Sequence, residues 1–376
     1  MLLKGLFWAS AAAIVYTHAG YPLVLRAVAG RRGAEPPPAP LPDESLPRVS
    51  LIVAAYDEEE VIEDKVRNAL ALDYPRERLE LIVASDGSTD RTAELARAAG
   101  ADVVLDLPNG GKVRAQDQGV ERAGGEILAF SDANTTLEPD ALRRLVAHFA
   151  ADPRVGYVCG QVRFDPAGPN QEGAYWRYET AIRALESRLA GVTAGNGGLY
   201  ATRRESYIVV DPRMGHDLSF PFNMVKRGWR ALYEPRAQAH EKTTPDNVAE
   251  GKRKRRMMSH MWPIVIEGGM LAPHGYTPLY AWQLVSHRVL RYATPFLHLI
   301  ALAANLALAR RARVYALTLA AQLGLAAAAL LAVAVPWRPF RLAQYYLLVT
   351  GSILGGLIDW IRTGTPAAWE KAEGTR

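Results

Sequence analysis

Ser50-Leu51-Ile52-Val53-Ala54-Ala55-Tyr56-Asp57-Glu58-Glu59 decides how the rest of the chain is read. A continuous apolar run that breaks abruptly into an acidic, polar stretch is what a strand buried on both faces of a parallel sheet requires. Downstream the pattern alternates. Val61–Leu72 has helical spacing and stops before Asp73-Tyr74-Pro75, and Leu79–Ala84 reads as a second strand. Ala93–Ala99 is a second helix ended by Gly100, followed by a strand at Ala101–Leu105, a helix at Val113–Ala123 and a strand at Glu126–Phe130. Strands and helices in alternation give a parallel sheet covered by helices, an α/β fold. No internal repeat of fixed period is visible.

In such sheets ligands bind beyond the carboxyl ends of the strands. The first strand ends in Tyr56-Asp57-Glu58-Glu59, the second in Ser85-Asp86-Gly87-Ser88-Thr89-Asp90 and the fourth in Ser131-Asp132-Ala133-Asn134. A single surface carboxylate is ordinarily a solvated charge. Three acidic clusters at one topological position mark a candidate ligand site. No glycine-rich phosphate fingerprint follows the first strand, which argues against a dinucleotide site.

Composition sets the frame around this domain. The chain has 376 residues, 49% of them hydrophobic and 22% charged, so it buries enough apolar surface to fold. Its one cysteine, Cys159, excludes a disulfide scaffold and reads as a small core hydrophobe. A net charge of +5 is too mild to indicate nucleic acid, so none is expected as a partner. Most of the basic excess adjoins apolar segments, at Arg26, Arg31 and Arg32, at Lys252 to Arg256 and at Arg310 to Arg313, as at a surface of anionic lipid.

The mean hydropathy of −0.06 hides a segregation of apolar residues to the two ends. Leu6–Val28 is long enough to cross a bilayer and reads as an uncleaved anchor in preference to a signal peptide. The arginines that follow it place the next domain in the cytoplasm. Toward the other end, Tyr292–Ala309, Val314–Val335 and Leu342–Ile361 are candidate crossings, broken by Arg310-Arg311-Ala312-Arg313 and Pro336-Trp337-Arg338-Pro339. Between Met257 and Leu290, prolines and charges interrupt the apolar pattern. Trp262, Tyr280 and Trp282 there suit interfacial helices at headgroup level. Four crossings would place a basic loop outside, against the positive-inside rule, so charge leaves the topology of the tail open. The expected layout is an N-terminal transmembrane anchor at 1–30 and a Pro-rich linker at 31–47. A catalytic domain follows at 48–250, basic and interfacial helices at 251–291, about three transmembrane helices at 292–361 and a tail at 362–376.

Val53–Glu59, Ala84–Asp90, Gly111-Lys112, Ser131–Asn134, Gly195-Asn-Gly-Gly-Leu-Tyr-Ala-Thr-Arg203 and His216-Asp217 together resemble family 2 glycosyltransferases of the GT-A fold, in their membrane-bound bacterial branch. The likeness spans roughly residues 48–260. It implies a mostly parallel Rossmann-like sheet and inverting transfer of a sugar from a nucleotide-sugar donor, with UDP favoured. It also implies that Tyr56, Glu58 and Asp86 contact the base and ribose, with Ala54, Lys112, Ser131 and Asp132 completing the donor site. Asp132 and Asn134 stand at the family's metal motif, for Mg²⁺ or Mn²⁺. Asp217 stands at the catalytic base, and Gly197, Gly198 and His216 stand beside the sugar or acceptor. The sequence departs from the family pattern at Asp57, at His216, and at Asn134, which carries no charge. Of the QxxRW motif of processive synthases only Arg256 remains, with Arg253 and Met257 in place of Gln and Trp. Arg253 and Arg256 are still candidates for the donor diphosphate.

These residue types suit the chemistry. Breaking the anomeric C–O bond leaves negative charge on a nucleoside diphosphate, which a divalent cation held by Asp132 would neutralise. The attacking hydroxyl must lose a proton, and a carboxylate at Asp217 would take it. The expected enzyme sits in the bacterial inner membrane, with its catalytic domain cytoplasmic. It acts on a lipid-linked or saccharide acceptor in envelope or exopolysaccharide synthesis. The alternatives are a processive polysaccharide synthase, related to hyaluronan, chitin and cellulose synthases, and a non-catalytic nucleotide-sugar-binding membrane subunit.

Overall fold

The computed structural model describes residues 1–33, 36–165, 172–242, 247–335 and 337–367. Parts of the expected linker and break, at 34–35 and Pro336, and the tail beyond 367 lie outside the described residues.

The chain opens with α1 (Leu2–Val15) and α2 (Tyr21–Arg31), joined through a π-helical turn, Tyr16–Gly20, into one unbroken helix. Pro22 has no N–H, so the carbonyl four residues earlier, that of His18, loses its helical donor. The Tyr178 hydroxyl supplies a bond to it at 2.9 Å.

The α/β domain follows as β1 (Val49–Ala55), α3 (Ile62–Leu70), β2 (Leu79–Asp86), α4 (Thr92–Ala98), β3 (Val103–Leu107), α5 (Lys112–Arg122) and β4 (Ile127–Asp132). These match the expected elements to within two residues or so at each end. All seven residues of β1 are buried. Leu51, Val53 and Ala55 pack into one core and Ile52 into the other, which is why the run is continuously apolar.

The second half of the domain holds β5 (Thr136–Leu137), α6 (Ala141–Ala151), β6 (Val155–Asp165), α7 (Glu172–Leu189), β7 (Leu199–Arg203), α8 (His216–Lys226) and β8 (Arg230–Lys242). The eight strands form a single sheet in the order β3-β2-β1-β4-β7-β6-β8-β5. Strands β3, β2, β1 and β4 are parallel, and β6 and β8 are parallel, whereas β7 runs antiparallel to both its neighbours. This mixed, mostly parallel sheet brings the ends of β1, β2 and β4 to one rim, with Ala54 in register with Asp132.

The remaining helices are α9 (Asn247–Ile266), α10 (Pro278–Leu284), α11 (Leu290–Leu308), α12 (Arg313–Leu331) and α13 (Arg338–Thr363). A π turn at Val285–Val289 fuses α10 to α11. Among the described residues three helices are long and apolar enough to cross a membrane: Pro278–Leu308, Arg313–Leu331 and Arg338–Thr363. Leu317, Leu323 and Leu330 of α12 are exposed, as on a lipid-facing helix. The N-terminal helix lies against α11, with Phe7 packed on Ala301, Ala304 and Leu308.

The first of these helices corrects the expected boundary at 291/292. It begins at Pro278, where Thr277 Oγ1 caps the Tyr280 N–H at 3.2 Å, so residues 278–291 are no separate interfacial helix. The aromatic groups assigned to the headgroup level have partners within the protein. Tyr280 donates to the Val192 carbonyl at 3.0 Å, Trp282 to the Tyr16 hydroxyl at 2.9 Å and Trp262 to the Ile353 carbonyl at 3.0 Å.

Candidate active site

The rim of the sheet is built from backbone as much as from side chains. Asp86 is 1% exposed, and its two carboxylate oxygens accept the Gly110 and Gly111 N–H groups, both at 2.8 Å. Its carboxylate thus shapes the loop that starts α5. Gly111 has φ +95°, a conformation reserved for glycine, and a Cβ there would strike the Ala367 carbonyl. The loop delivers Lys112, whose Nζ forms an ion pair with Asp132 Oδ1.

Asp132 is half-buried at the end of β4, its side chain 23% exposed. Ser131 Oγ donates to the Gly198 carbonyl at 2.8 Å and so ties the glycine pair to this turn. A Cβ on Gly197 would sit 3.2 Å from Lys112 Nζ and 3.7 Å from Asp132 Oδ2, and one on Gly198 would strike the Glu241 carboxylate. Lys112, Ser131, Asp132, Gly197 and Gly198 therefore come together. Beside the first strand, Asp57 adopts φ 50° and accepts the Thr89 N–H at 2.7 Å. Ala54 is buried, Tyr56 is half-buried, and Glu58, 2% exposed, donates its N–H to Thr92 Oγ1 at 2.7 Å.

Two residues of this cluster were missed in the sequence. Lys65 is buried beneath the metal motif, donating to Ser131 Oγ and the Thr135 carbonyl, each at 2.6 Å. Burial pushes its amine down to about 7, against the pull of Asp132 and Glu241. The signal was its place on α3, where it shares the buried face of Ile62, Val66 and Ala69. Glu241, near the end of β8, accepts from Thr135 Oγ1 at 2.7 Å. Its carboxyl is raised by desolvation and by the charge of Asp132. Only strand pairing brings it here.

His216 and Asp217 open α8. His216 is 4% exposed, stacked on Phe220 with ring centroids 3.9 Å apart, and its Nδ1 meets the Tyr200 hydroxyl at 2.7 Å. Burial pushes its imidazole down to about 3, with the charge of Lys112 adding to it. It is a neutral member of an aromatic core. Asp217 is half-buried and lines a cavity with Gly195, Lys254 and Arg256. Pro221 leaves the Asp217 carbonyl without its helical donor, and the Gly195 N–H takes it at 2.7 Å.

The basic run of α9 is divided. Arg253 pairs with Glu250 at 2.8 Å and Arg255 with Asp359 at 2.6 Å, while Arg256 turns to the Asp217 cavity. Pro263 frees the Ser259 carbonyl, which Thr365 Oγ1 captures at 2.8 Å.

The fit of a divalent cation follows from donor chemistry. Asp132 and Asn134 offer oxygens only, the preference of Mg²⁺ and Mn²⁺, and the glycine at 197 keeps the approach to Asp132 Oδ2 open. Among the described residues no three His, Cys, Asp or Glu side chains form a closed metal cage. Such a site suits an ion whose coordination a substrate diphosphate completes.

Residues 50–210 match the family described as Glycosyl transferase family 2. That match lies in the α/β domain, which is similar to family 2 glycosyltransferases. The chain is 30% identical over 207 residues to the poly-beta-1,6-N-acetyl-D-glucosamine synthase of Staphylococcus aureus (strain COL), covering 52% of this chain and 50% of that one. It spans about half the length of the curated relatives it matches. A solved mannosyltransferase from Pyrobaculum calidifontis, in complex with GDP-Man and Mn²⁺, superposes with a TM-score of 0.72 at 25% identity. That likeness covers 94% of this chain and 98% of the other, so the two share a fold over nearly their whole length.

Proposed function

We propose that this chain is a glycosyltransferase that moves a sugar, with inversion, from a nucleotide-sugar to a lipid-linked or saccharide acceptor at the cytoplasmic face of a bacterial inner membrane. A UDP-sugar is the first donor to test. The observation that carries the reading is the pairing of Asp132 with Lys112 at the rim, with Asp217 lining a separate cavity beside the glycine loop.

Lys112 would meet the donor diphosphate, and the Gly197-Gly198 wall would let the sugar approach the backbone closely. Asp132 and Asn134 would hold Mg²⁺ or Mn²⁺, which when bound neutralises charge on the leaving diphosphate. Asp217 would accept the proton of the attacking hydroxyl, worth about 10²–10⁴-fold in rate. The Gly195 N–H on its carbonyl fixes where the helix start, and hence this carboxylate, stands.

Nucleotide release by the purified protein tests the reading, with UDP-, GDP- and dTDP-sugars, with and without metal, in the presence of a lipid extract. Asp217→Asn and Asp132→Ala should abolish release while the protein stays folded. Full activity in either variant would remove that residue from the site.

The similarity to a polymer synthase favours a second reading, processive synthesis. Product mass separates the two: one added sugar supports single transfer, and a ladder supports polymerisation.

A further inference from the structure

Beside Asp217 lies a cavity of about 290 Å³, walled by α7, the start of α8, α9, the turn into α11, and α13. Four guanidinium groups line it, those of Arg183, Arg256, Arg288 and Arg291, with the Lys254 ammonium beside them. Arg183, Arg288 and Arg291 are 3%, 8% and 8% exposed. Besides Asp217, one carboxylate stands among them: Glu179, 4% exposed, forms an ion pair with Arg291 and lies 3.5 Å from Arg288. A second, Glu186, is set one layer back, where it holds His287 at 2.8 Å and accepts from Tyr21 at 2.6 Å. Five positive charges thus meet three negative ones, Asp217, Glu179 and Glu186, with Lys254 further held by Glu250.

Arg183 carries the imbalance most plainly. One of its terminal nitrogens donates to the Gly195 carbonyl at 2.9 Å, while its Nε is buried with no hydrogen-bond partner among the described residues. An under-neutralised guanidinium group away from water is costly, and a bound anion removes that cost. Arginine's planar fork suits a phosphate in particular.

The cavity does not end there. Tyr175, Arg291, Val349 and Ile353 are shared with a second cavity of about 300 Å³, which runs on past Tyr178, Leu342 and Tyr346. This second space lies between α11 and α13, two of the three helices that qualify as membrane crossings. Its walls are mostly aliphatic and aromatic, with Arg291 at the shared end and Thr294, Thr350 and His18 the other polar additions besides tyrosine hydroxyls. A hydrocarbon chain is at home there. A saccharide chain would forfeit most of its hydrogen bonds.

We propose that the acceptor is an anionic lipid. Its phosphate lies among Arg183, Arg288 and Arg291, its chain fills the cleft between α11 and α13, and a hydroxyl of its head reaches Asp217. The inference rests on the transferase reading. In the step, the hydroxyl oxygen forms a bond to C1 of the donor sugar and the C1–O bond to the nucleoside diphosphate breaks. That electron pair leaves with the diphosphate, and the hydroxyl proton passes to Asp217.

The test measures binding of phosphatidylglycerol to the detergent-purified full chain, with phosphatidylcholine and glycerol 3-phosphate as comparisons. Metal-dependent nucleotide release is followed in parallel. Phosphatidylglycerol should bind at least tenfold more tightly than phosphatidylcholine. Arg291→Gln should erase that preference, and Val349→Trp, which fills the cleft, should weaken both lipids. Leu317→Trp, on the exposed face of α12, controls for a general effect of bulk in the membrane helices and should bind as the parent does.

Glycerol 3-phosphate binding as well as the lipid would assign the arginines to a soluble phosphate and overturn the lipid acceptor. No preference for phosphatidylglycerol, alongside intact nucleotide release, would overturn the inference and leave the transferase reading standing. Lipid binding without nucleotide release from any donor would overturn the transferase reading, and the acceptor role with it.

Discussion

The Gly195 N–H donates to the main-chain carbonyl of Asp217 at 2.7 Å, and it does so because Pro221 cannot. A helix proline frees one carbonyl on the preceding turn, and here that carbonyl belongs to the candidate base. The bond fastens the glycine loop before β7 to the first turn of α8. Comparable captures recur at His18, taken by Tyr178, and at Ser259, taken by Thr365. Proline placement is thus how distant segments are joined in this protein.

Gly195→Ala should lower turnover at least tenfold. Its Cβ would collide with the Tyr157 hydroxyl, pushing the loop off Asp217 at a cost of about 1–3 kcal/mol. Tyr157→Phe in the same chain removes that hydroxyl and should restore part of the activity. Turnover of the single and double variants checks this; no rescue would mean the collision is not the cause.

Pro221→Ala should leave thermal stability unchanged or slightly higher while reducing turnover. The new N–H competes with Gly195 for the Asp217 carbonyl and adds helix propensity. A melting curve with initial rates on the same preparation separates the two effects. Unchanged turnover would show that the loop is held by other bonds.

Lys112→Met should bind Mn²⁺ more tightly in the absence of donor and turn over more slowly. The ammonium group ion-pairs with Asp132, so it competes with a cation for that carboxylate before the donor arrives. Titration calorimetry with Mn²⁺ alone reads the first effect. Weaker metal binding in the variant would contradict the competition.

Acidification should destabilise the protein partly through His216. Its imidazole is held at about 3 when folded and returns to the ordinary value of 6.5 when unfolded. Between those values the unfolded chain binds the extra proton, so stability rises with pH across this window and falls as pH drops through it. His216→Gln should flatten the fall in melting temperature between pH 6.5 and pH 4.5. An identical slope in both proteins would place the acid sensitivity elsewhere.

Lys65→Met should slow transfer while costing about 1–3 kcal/mol of stability, because Ser131 Oγ and the Thr135 carbonyl lose a shared donor under the metal motif. Chemical unfolding and donor affinity, measured together, would show whether the turn from Ser131 to Thr135 has moved. Wild-type donor affinity would confine Lys65 to packing.

Much of this was legible locally. A strand buried on both faces must be apolar at every position, and Leu51 to Ala55 are, so β1 and the alternating elements after it follow from period and length alone. Asp86, Asp132 and Asp217 stand where strand ends and a helix start put them, and the apolar helices declare themselves by length. The tasks of individual side chains were a different matter. Asp86 spends both oxygens on Gly110 and Gly111, His216 sinks among aromatic rings, and Arg253 turns to Glu250. Each outcome depends on which partner the fold brings within 3 Å, and linear spacing does not encode that. The same holds for Glu241, carried to the rim by β8, and for Arg183, which meets Arg288 and Arg291, about a hundred residues on, only when α7 packs on the turn into α11. The amino-acid sequence by itself determined the elements, because periodicity and turn chemistry act over a few residues. Only the tertiary structure decided which charges are paired and which are left for a ligand, because burial and long-range contact set the cost of every unpaired one.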